Sequence, residues 1–392
     1  MQRRSFLKGS GAVLVVVAGA GVWRAYDEGV FSVGEGPAYQ PWKDWQNENY
    51  GSLALVRAAI LAASPHNTQP WLFKVTDVRI ELFADTGRYP GALDPYLREQ
   101  HIGLGCALEN LMLAAAANGY HARATLLPGK LQAAPSDPRP ELVAKVDLSP
   151  GARQTSELHD AIPHRHTNRS PYDVGKPVPA EVMDALSGLT SEEAEVKVFL
   201  FNSESERNQI VEIIAKANHK VYADPDVENG SQGWIRWDWS DVQKQCDGLT
   251  VDAFGLPPLT AAFIKFTPKR LLVKFAPRGN GDPYAELLRA TPVFGLIAVR
   301  DRYDQEQSLR AGRIWQRAHL LLTSRGVAAR PVNEAVEFID HERRRNQDPR
   351  ASAQLAELTH DATWQPTFMF RLGYPVRPAL PSPRRPLKEV II

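Results

Sequence analysis

The chain contains a repeat of itself. Laid on one another at a constant offset of 207 residues, the segments 102–123 and 309–330 match at five positions: Gly105 with Gly312, Leu113 with Leu320, Gly119 with Gly326, Ala122 with Ala329, and Arg123 with Arg330. Both segments read as long helices that end at a glycine, the residue that most readily takes the left-handed turn past a helix C-terminus. Each follows a strand-like run, at 78–83 and at 293–299. The first helix is apolar nearly all round (Ile102, Leu104, Ala107, Leu108, Leu111, Met112, Ala115), so it is expected to be buried. The second carries Arg313, Gln316 and Arg317 and has a wetter face. Coincidence between two helices ending in Gly-x-x-Ala is the alternative. In matching strand–helix context the identities predict an α+β chain of two related halves, a dimer written as one polypeptide.

Composition narrows the function classes. Of 392 residues, 43% are hydrophobic and 23% charged, as in ordinary globular chains with room for a large core. With 46 basic against 45 acidic residues there is no global basic field, which argues against nucleic acid as a partner. Two cysteines, Cys106 and Cys246, exclude a disulfide scaffold; two buried thiols are expected, one disulfide being the alternative. No apolar run is long enough for a multi-pass membrane protein. The stretches 124–150 and 222–292 read as irregular.

Residues 1–25 read as an address. Arg3-Arg4-Ser5-Phe6-Leu7-Lys8 precedes an apolar run from Ala12 to Val22 with small residues at 18–20. That order resembles a twin-arginine signal peptide, with an ordinary basic leader or a retained anchor as alternatives. Such a route carries folded proteins, commonly with a cofactor loaded, so a periplasmic location and a bound cofactor are expected. Residues 26–50, with Trp42, Trp45 and Tyr50, are expected to pack on the body.

Two segments carry the polar chemistry. Ala63-Ser64-Pro65-His66-Asn67-Thr68-Gln69-Pro70-Trp71 follows an amphipathic helix expected over 52–63 and leads into a strand at 71–75. Its short donors and acceptors suit the edge of a planar heterocycle, or simply a capped helix-to-strand turn. The second segment, His164-Arg165-His166-Thr167-Asn168-Arg169-Ser170-Pro171-Tyr172-Asp173, reads as an anion cradle, because guanidinium groups bind phosphate in bidentate fashion. A solvated basic loop is one alternative. A zinc site from His159, His164 and His166 is another, although it lacks a second spaced ligand pair.

The second segment resembles the Arg-His-Ser-x-Lys/Arg-x-Phe FMN motif of the nitroreductase superfamily. The first resembles that superfamily's Pro-Ser-x-x-Asn-x-Gln-Pro-Trp loop. Arg384-Arg385-Pro386-Leu387-Lys388-Glu389-Val390 resembles its basic tail, and Arg371-Leu372-Gly373-Tyr374-Pro375 is similar to a further family stretch. In an ordinary family subunit the arginine motif comes first. Here the serine–asparagine loop precedes it by about a hundred residues and lies in the other half. One composite site surviving in a fused pair has this order, and it is similar to the Acg-like group of single-chain flavoproteins.

The resemblance implies FMN held by Arg165, His166, Thr167 and Arg169, with Ser64, Asn67 and Gln69 on the ring edge, and Arg384 and Arg385 as a second clamp. Asn333 lies where the family passes a loop by the flavin, but Pro331-Val332-Asn333-Glu334 departs from the usual Glu-Gly there. The organisation expected is 1–25 address, 26–150 half one and 151–392 half two, with an aromatic-rich insert at about 222–292 (Trp234, Trp237, Trp239, Phe254, Phe263, Phe266, Phe275). That insert reads as a lid over the site, or as a helical subdomain that stabilises the fused pair. The implied activity is hydride transfer between a small-molecule electron donor and a nitro, quinone or similar acceptor. The implied partners are those small molecules and the twin-arginine export machinery, with the single chain acting as its own pseudo-dimer. Storage of FMN under a closed lid, without turnover, is the rival reading, and a flavin-free binding module is a second.

Overall fold

The computed structural model describes residues 22–46, 51–191, 193–267 and 282–392. Residues 1–21 of the expected address, Tyr50 and Phe275 lie outside the described residues. Two four-stranded antiparallel sheets divide the chain. The first orders β1 (Trp71–Val75), β2 (Arg79–Asp85), β4 (Pro140–Pro150) and β3 (Tyr120–Leu126). The second orders β5 (Val196–Phe201), β8 (Val293–Val299), β10 (Gln365–Gly373) and β9 (Ala328–Pro331). Between β5 and β8 in sequence, β6 (Ile235–Arg236) and β7 (Leu249–Thr250) form a small parallel pair. Each large sheet therefore runs first, second, fourth, third, with a 20-residue helix between its second and third strands. These helices are α2 (Arg98–Ala117), preceded by α1 (Ser52–Ala59), and α7 (Gln305–Ser324). The expected two-half α+β architecture is thus present strand for strand.

Local chemistry explains the elements. The run Val293–Val299 is buried at every position, as a central strand must be. Asp304 caps α7 by accepting from the Gln307 amide at 3.1 Å. The glycines expected past each long helix, Gly119 and Gly326, have φ of 80° and 68°.

The two long helices cross backbone to backbone. A Cβ on Gly105 would stand 2.1 Å from the Leu309 carbonyl oxygen and 2.9 Å from the Gly312 Cα. A Cβ on Gly312 would stand 2.0 Å from the Ile102 carbonyl oxygen and 2.9 Å from the Gly105 Cα. Residues 102 and 309, like 105 and 312, are equivalent in the repeat, so the contact is reciprocal in the manner of a twofold interface. Polar groups lock the crossing. Glu109, wholly buried, is paired with Arg313 Nε at 2.7 Å and Arg317 Nε at 2.6 Å. Gln316 donates to Asn110 Oδ1 at 2.8 Å.

Three readings need correction, and one strand is additional. The helix from Ser52 closes at Ala59, with Ile60 as its cap, because Ser64-Pro65 starts a separate turn. The stretch 124–150 holds the long strand β4, whose buried Val143, Ala144 and Val146 are hidden in the sequence by flanking prolines. Strand β5 opens half two and was not anticipated. The insert is largely helical: after α3 (Glu204–Val221) come α4 (Pro225–Gln232), α5 (Trp239–Gln245) and α6 (Pro258–Phe266).

The C-terminal tail returns to the first half. The Phe73 amide donates to the Val390 carbonyl at 2.7 Å, and the Ile392 amide to the Phe73 carbonyl at 2.9 Å, covering the free edge of β1. Cys106 and Cys246 are both buried free thiols, as expected.

Gly105→Ala is expected to lower stability by about 3 kcal/mol, the overpacking cost of a side chain with no room. Gly188→Ala, which meets nothing within 4 Å, should stay within about 0.5 kcal/mol of wild type in the same denaturant titration.

Candidate functional site

A cleft of about 290 Å³ opens where both halves and the insert meet. Half one contributes the turn after α1 (Ser64, His66) and the face of α2 around Ile102, Gly103 and Cys106. Half two contributes Thr167, Arg169, Trp315, Arg330 and Phe368. The start of α8 (Glu334–Arg344) adds Asn333, Glu334 and Glu337, and the insert adds Tyr222, Ser231, Leu249 and Phe254.

Of the ten residues expected at the site, the structure brings four to the cleft: Ser64, Thr167, Arg169 and Asn333. Asn333 also fixes its own position, its Oδ1 accepting from the Met369 amide at 2.8 Å. The other six lie behind it. Asn67 Nδ2 donates to the Gly248 carbonyl at 3.1 Å and the Pro383 carbonyl at 3.0 Å, while its Oδ1 accepts from Arg384 at 2.6 Å. Gln69 donates to the Cys246 carbonyl at 2.9 Å and accepts from the Arg385 amide at 2.8 Å. Arg385 also donates to the Gln69 and Glu389 carbonyls. Arg384 donates to the Ala62 carbonyl at 3.2 Å and lies over the Trp42 ring at 4.6 Å. Arg165 donates to the Leu61 carbonyl at 3.0 Å, and His166 packs edge-on against Trp42. These side chains tie the 64–69 loop to the insert and to the tail. The loop needs the ties: His66, Asn67 and Gln69 all have positive φ, at 46°, 56° and 50°, a conformation costing non-glycine residues roughly 1 kcal/mol or more each.

The three histidines considered for zinc have separate surroundings. His164 is exposed, His159 bonds Asp160 and packs on Trp45, and His166 packs on Trp42. Among the described residues no group of His, Cys, Asp and Glu could hold a metal ion.

The insert is seated firmly on the cleft. Asp247 pairs with Arg88 and, at 2.6 Å, with Arg236, and Trp234 donates to the Tyr89 carbonyl at 3.0 Å. Arg169 donates to the Ala253 carbonyl at 3.1 Å. Gly255, at φ 70°, lies so close to that strand of backbone that a Cβ would be 2.4 Å from the Arg169 carbonyl carbon. Of the insert aromatics Phe254 lines the cleft, whereas Trp237 packs on Phe254 and Trp239 stacks on Tyr39.

Basic and acidic groups both line the cleft. Arg169 and Arg330 belong to its wall, with Arg371 close behind. Burial pulls the Arg169 guanidinium down to about 9, with Arg330 and Arg371 adding repulsion. Arg371 donates to the Ser170 carbonyl at 2.8 Å and lies 4.0 Å over the Tyr172 ring, but its Nε and one terminal nitrogen have no partner. Among the described residues none of these three arginines forms an ion pair. Glu99, Glu334 and Glu337 line it too, with Glu334 near Arg371 and bonded to Tyr284, whose ring lies under Arg330. Burial pushes Glu99 up to about 8, and Asp94 and Asp340 oppose its charge further. Glu337 is raised well above the ordinary carboxylate range by burial, then by Glu99 and Glu334. His66, bonded to Ser231 Oγ at 2.9 Å, is held down to about 4 by burial and by Arg169.

An uncompensated arginine pair with the Thr167 hydroxyl beside it fits a phosphate-bearing ligand. Phe254, Trp315 and Phe368 supply flat apolar walls for a ring. The volume lies at the small end of the range for small-molecule pockets, roughly 300–1,000 Å³. Arg330 and the three glutamates were missed as site residues. Arg330 was visible only as the repeat partner of Arg123, and the glutamates look like ordinary helix-surface charges.

A stability prediction follows from the glutamates. Above about pH 7, where free histidines are already neutral, the folded chain still holds a proton on Glu99 that the unfolded chain has released, and the upward shift of Glu337 acts in the same direction. Stability is therefore expected to fall as pH rises from about 7 to about 8, and Glu337→Gln should flatten the fall. Thermal unfolding across that range checks it, and a wild-type stability that rises there contradicts it.

The chain has relatives with known names. A Mycobacterium tuberculosis protein provisionally named an NAD(P)H nitroreductase is 27% identical over 91% of this chain and 95% of its own length. A second, the acg protein of the same organism, with the same kind of provisional name, is 36% identical over 30% of this chain and 34% of its own length. Among solved structures, the FMN-dependent nitroreductase NfnB from Mycobacterium smegmatis, in complex with NADPH, is 16% identical. That match covers 59% of this chain and 96% of NfnB with a TM-score of 0.37, too low to define a shared fold. No protein-family model matches the sequence. The resemblance to nitroreductases, expected from three short motifs and their order, is borne out by a relative that spans nearly the whole chain.

Proposed function

We propose that this protein is an FMN-dependent oxidoreductase of the nitroreductase type, a single-chain pseudo-dimer with one composite site. The observation that carries the reading is the pair Arg169 and Arg330, without carboxylate partners, in a cleft shared by both halves. Its support is a chain whose relatives bear nitroreductase names. Arg169, Arg330 and Thr167 would hold the FMN phosphate, and Arg371 would deepen the positive field behind them. Ser64 and Asn333 would border the ring. When bound, the flavin supplies hydride chemistry, taking electrons from a small-molecule donor and passing them to a nitro or quinone acceptor. The chain's own contribution is to orient the ring between apolar walls and keep water out. Arg165, His166, Asn67, Gln69, Arg384 and Arg385 act as positioning residues. They hold the strained 64–69 loop, the tail and the insert in register rather than touching the cofactor.

The seating of the insert favours a second reading, FMN held under a closed lid without turnover. Asp247 with its two arginines, Gly255 and the Asn67 and Gln69 bonds all have to let go before the insert lifts. Reducing the purified protein with dithionite and adding a nitro or quinone acceptor separates the two. Rapid reoxidation supports the oxidoreductase, and a flavin that stays reduced supports storage. A colourless protein that takes up no FMN ends both.

We further propose that residues 1–25 direct export of the folded protein by the twin-arginine machinery to the periplasm, with 26–150 and 151–392 descended from one duplicated subunit. Replacing Arg3 and Arg4 together by Lys should leave the protein in the cytoplasmic fraction. Unchanged periplasmic recovery on fractionation would refute the route. Arg169→Ala with Arg330→Ala should lower bound flavin by about tenfold or more, the loss of two charge-assisted contacts. The flavin absorbance band of the purified variant reads this directly, and wild-type flavin content would refute the phosphate assignment.

A further inference from the structure

The cleft has an acidic side that phosphate recognition does not use. Five carboxyl groups gather there: Asp94, Glu99 and Asp340, all buried, with Glu334 and Glu337 at the opening of α8. Three guanidinium groups lie near them: Arg98 and Arg302, whose ion pairs go chiefly to Asp340, and Arg371, close to Glu334; Arg302 keeps its Nε and one terminal nitrogen unpartnered. Arg98 bonds Asp340 Oδ2 at 2.8 Å, Glu99 at 3.4 Å and the Thr367 carbonyl, and Arg302 bonds Asp340 Oδ1 at 3.1 Å and the Val336 carbonyl at 2.9 Å. Asp94 is occupied with the Glu99 and Gln100 amides at the start of α2.

That leaves Glu334 and Glu337. They stand three residues apart on α8, so they share one face of the helix. Both line the cleft. Glu334 Oε1 accepts from Tyr284, while its Oε2 has no partner. Glu337 is 7% exposed, and its Oε2 is also buried without a partner. A buried acceptor without a donor costs about 1–3 kcal/mol, so two of them beside one cleft mark a place that a ligand completes. The adjoining aromatic group is Tyr222, which lines the cleft beside both carboxyls. Aromatic faces and unpaired carboxyls together are the surroundings that an organic cation prefers.

We propose that this side of the cleft binds a cationic nitrogen group, an ammonium or amidinium, carried on an aromatic small molecule. Glu337 and Glu334 take its N–H donors and Tyr222 takes its ring. The inference rests on the reading above only in making this ligand the molecule that meets the cofactor; the binding itself does not depend on turnover. The groups facing Glu337 are Glu99, Asp94 and Arg98 from the α2 side, Tyr222 from the insert and Glu334 from its own helix, and Glu334 also faces Tyr284 and Arg371. Because their mutual repulsion and burial favour the protonated acids, a cation that binds them must displace a proton. Affinity therefore rises with pH.

The test is calorimetric titration of the purified full-length protein with benzamidine, an amidinium, and with benzamide, its neutral counterpart, at about pH 6 and about pH 9. Benzamidine is expected to bind more tightly at the higher pH and to release protons, seen by changing the buffer's ionisation enthalpy. Glu337→Gln and Glu334→Gln should each weaken it by about tenfold, the worth of one charge-assisted contact, and leave benzamide unaffected. Equal binding of the two compounds, no pH dependence, no effect of either substitution, or no binding at all overturns the proposal. If Glu337→Gln fails to fold, Glu334→Gln and the wild-type pH comparison decide the matter. Flavin content is recorded on the same samples. A yellow protein that ignores benzamidine sinks this inference alone, and a colourless one that binds it sinks the flavin reading alone.

Discussion

The arrangement depends on two glycines. Gly105 and Gly312 let α2 and α7 cross with their backbones in contact, and no side chain fits at either position. Close crossing brings Gly103 and Cys106 of one half level with Trp315 of the other, and these line one cleft. It also buries Glu109, which the second helix must then neutralise with Arg313 and Arg317. Removing a partner from a buried charge costs several kcal/mol, so the crossing is specified by charge as well as by space.

A second layer of order grows from that crossing. The 64–69 loop leaves α1 in a left-handed path that its own residues disfavour. Asn67 and Gln69 repay the strain with hydrogen bonds to the insert and the tail, at Gly248, Cys246, Pro383 and residues 384–385. Three segments distant in sequence thus stand or fall together. The same polar residues that make the loop look like a ligand-binding motif are consumed in assembling it. That is why a motif can sit at a site while most of its side chains face away.

The cleft that results gathers guanidinium and carboxyl groups that are only partly matched. Glu99 is paired with Arg98 and Glu334 lies near Arg371, but among the described residues Arg169 and Arg330 form no ion pair, and Glu337 keeps an unpartnered oxygen. Burial makes the mismatch felt, pulling Arg169 down and pushing Glu99 and Glu337 up. A polar ligand with a charged end can exploit such a field more fully than water can, because low polarisability around the groups leaves their charges unscreened.

Much of this was legible in the residues. The repeat at 102–123 and 309–330 announced two halves, and the matching strand orders show how far the likeness extends. The hydrophobic runs at 71–75 and 293–299 are strands at those positions, because alternation or continuous apolar character decides burial locally. Arg169, Thr167 and Ser64 were also readable, since motif chemistry is carried by residue type and spacing. What the linear chain left open was direction. Nothing local to Asn67, Gln69, Arg384 or Arg385 says whether a side chain faces a ligand or another segment, and that was decided only when the tail crossed to β1 and the insert settled on residues 88–91. Glu334 and Glu337 read as solvent-facing charges on an amphipathic helix until α2 and the insert closed over them. Pattern along the chain determines which elements form and which face of each is apolar. Which polar groups remain unpaired is a property of the assembled interior, where partners come from segments hundreds of residues apart.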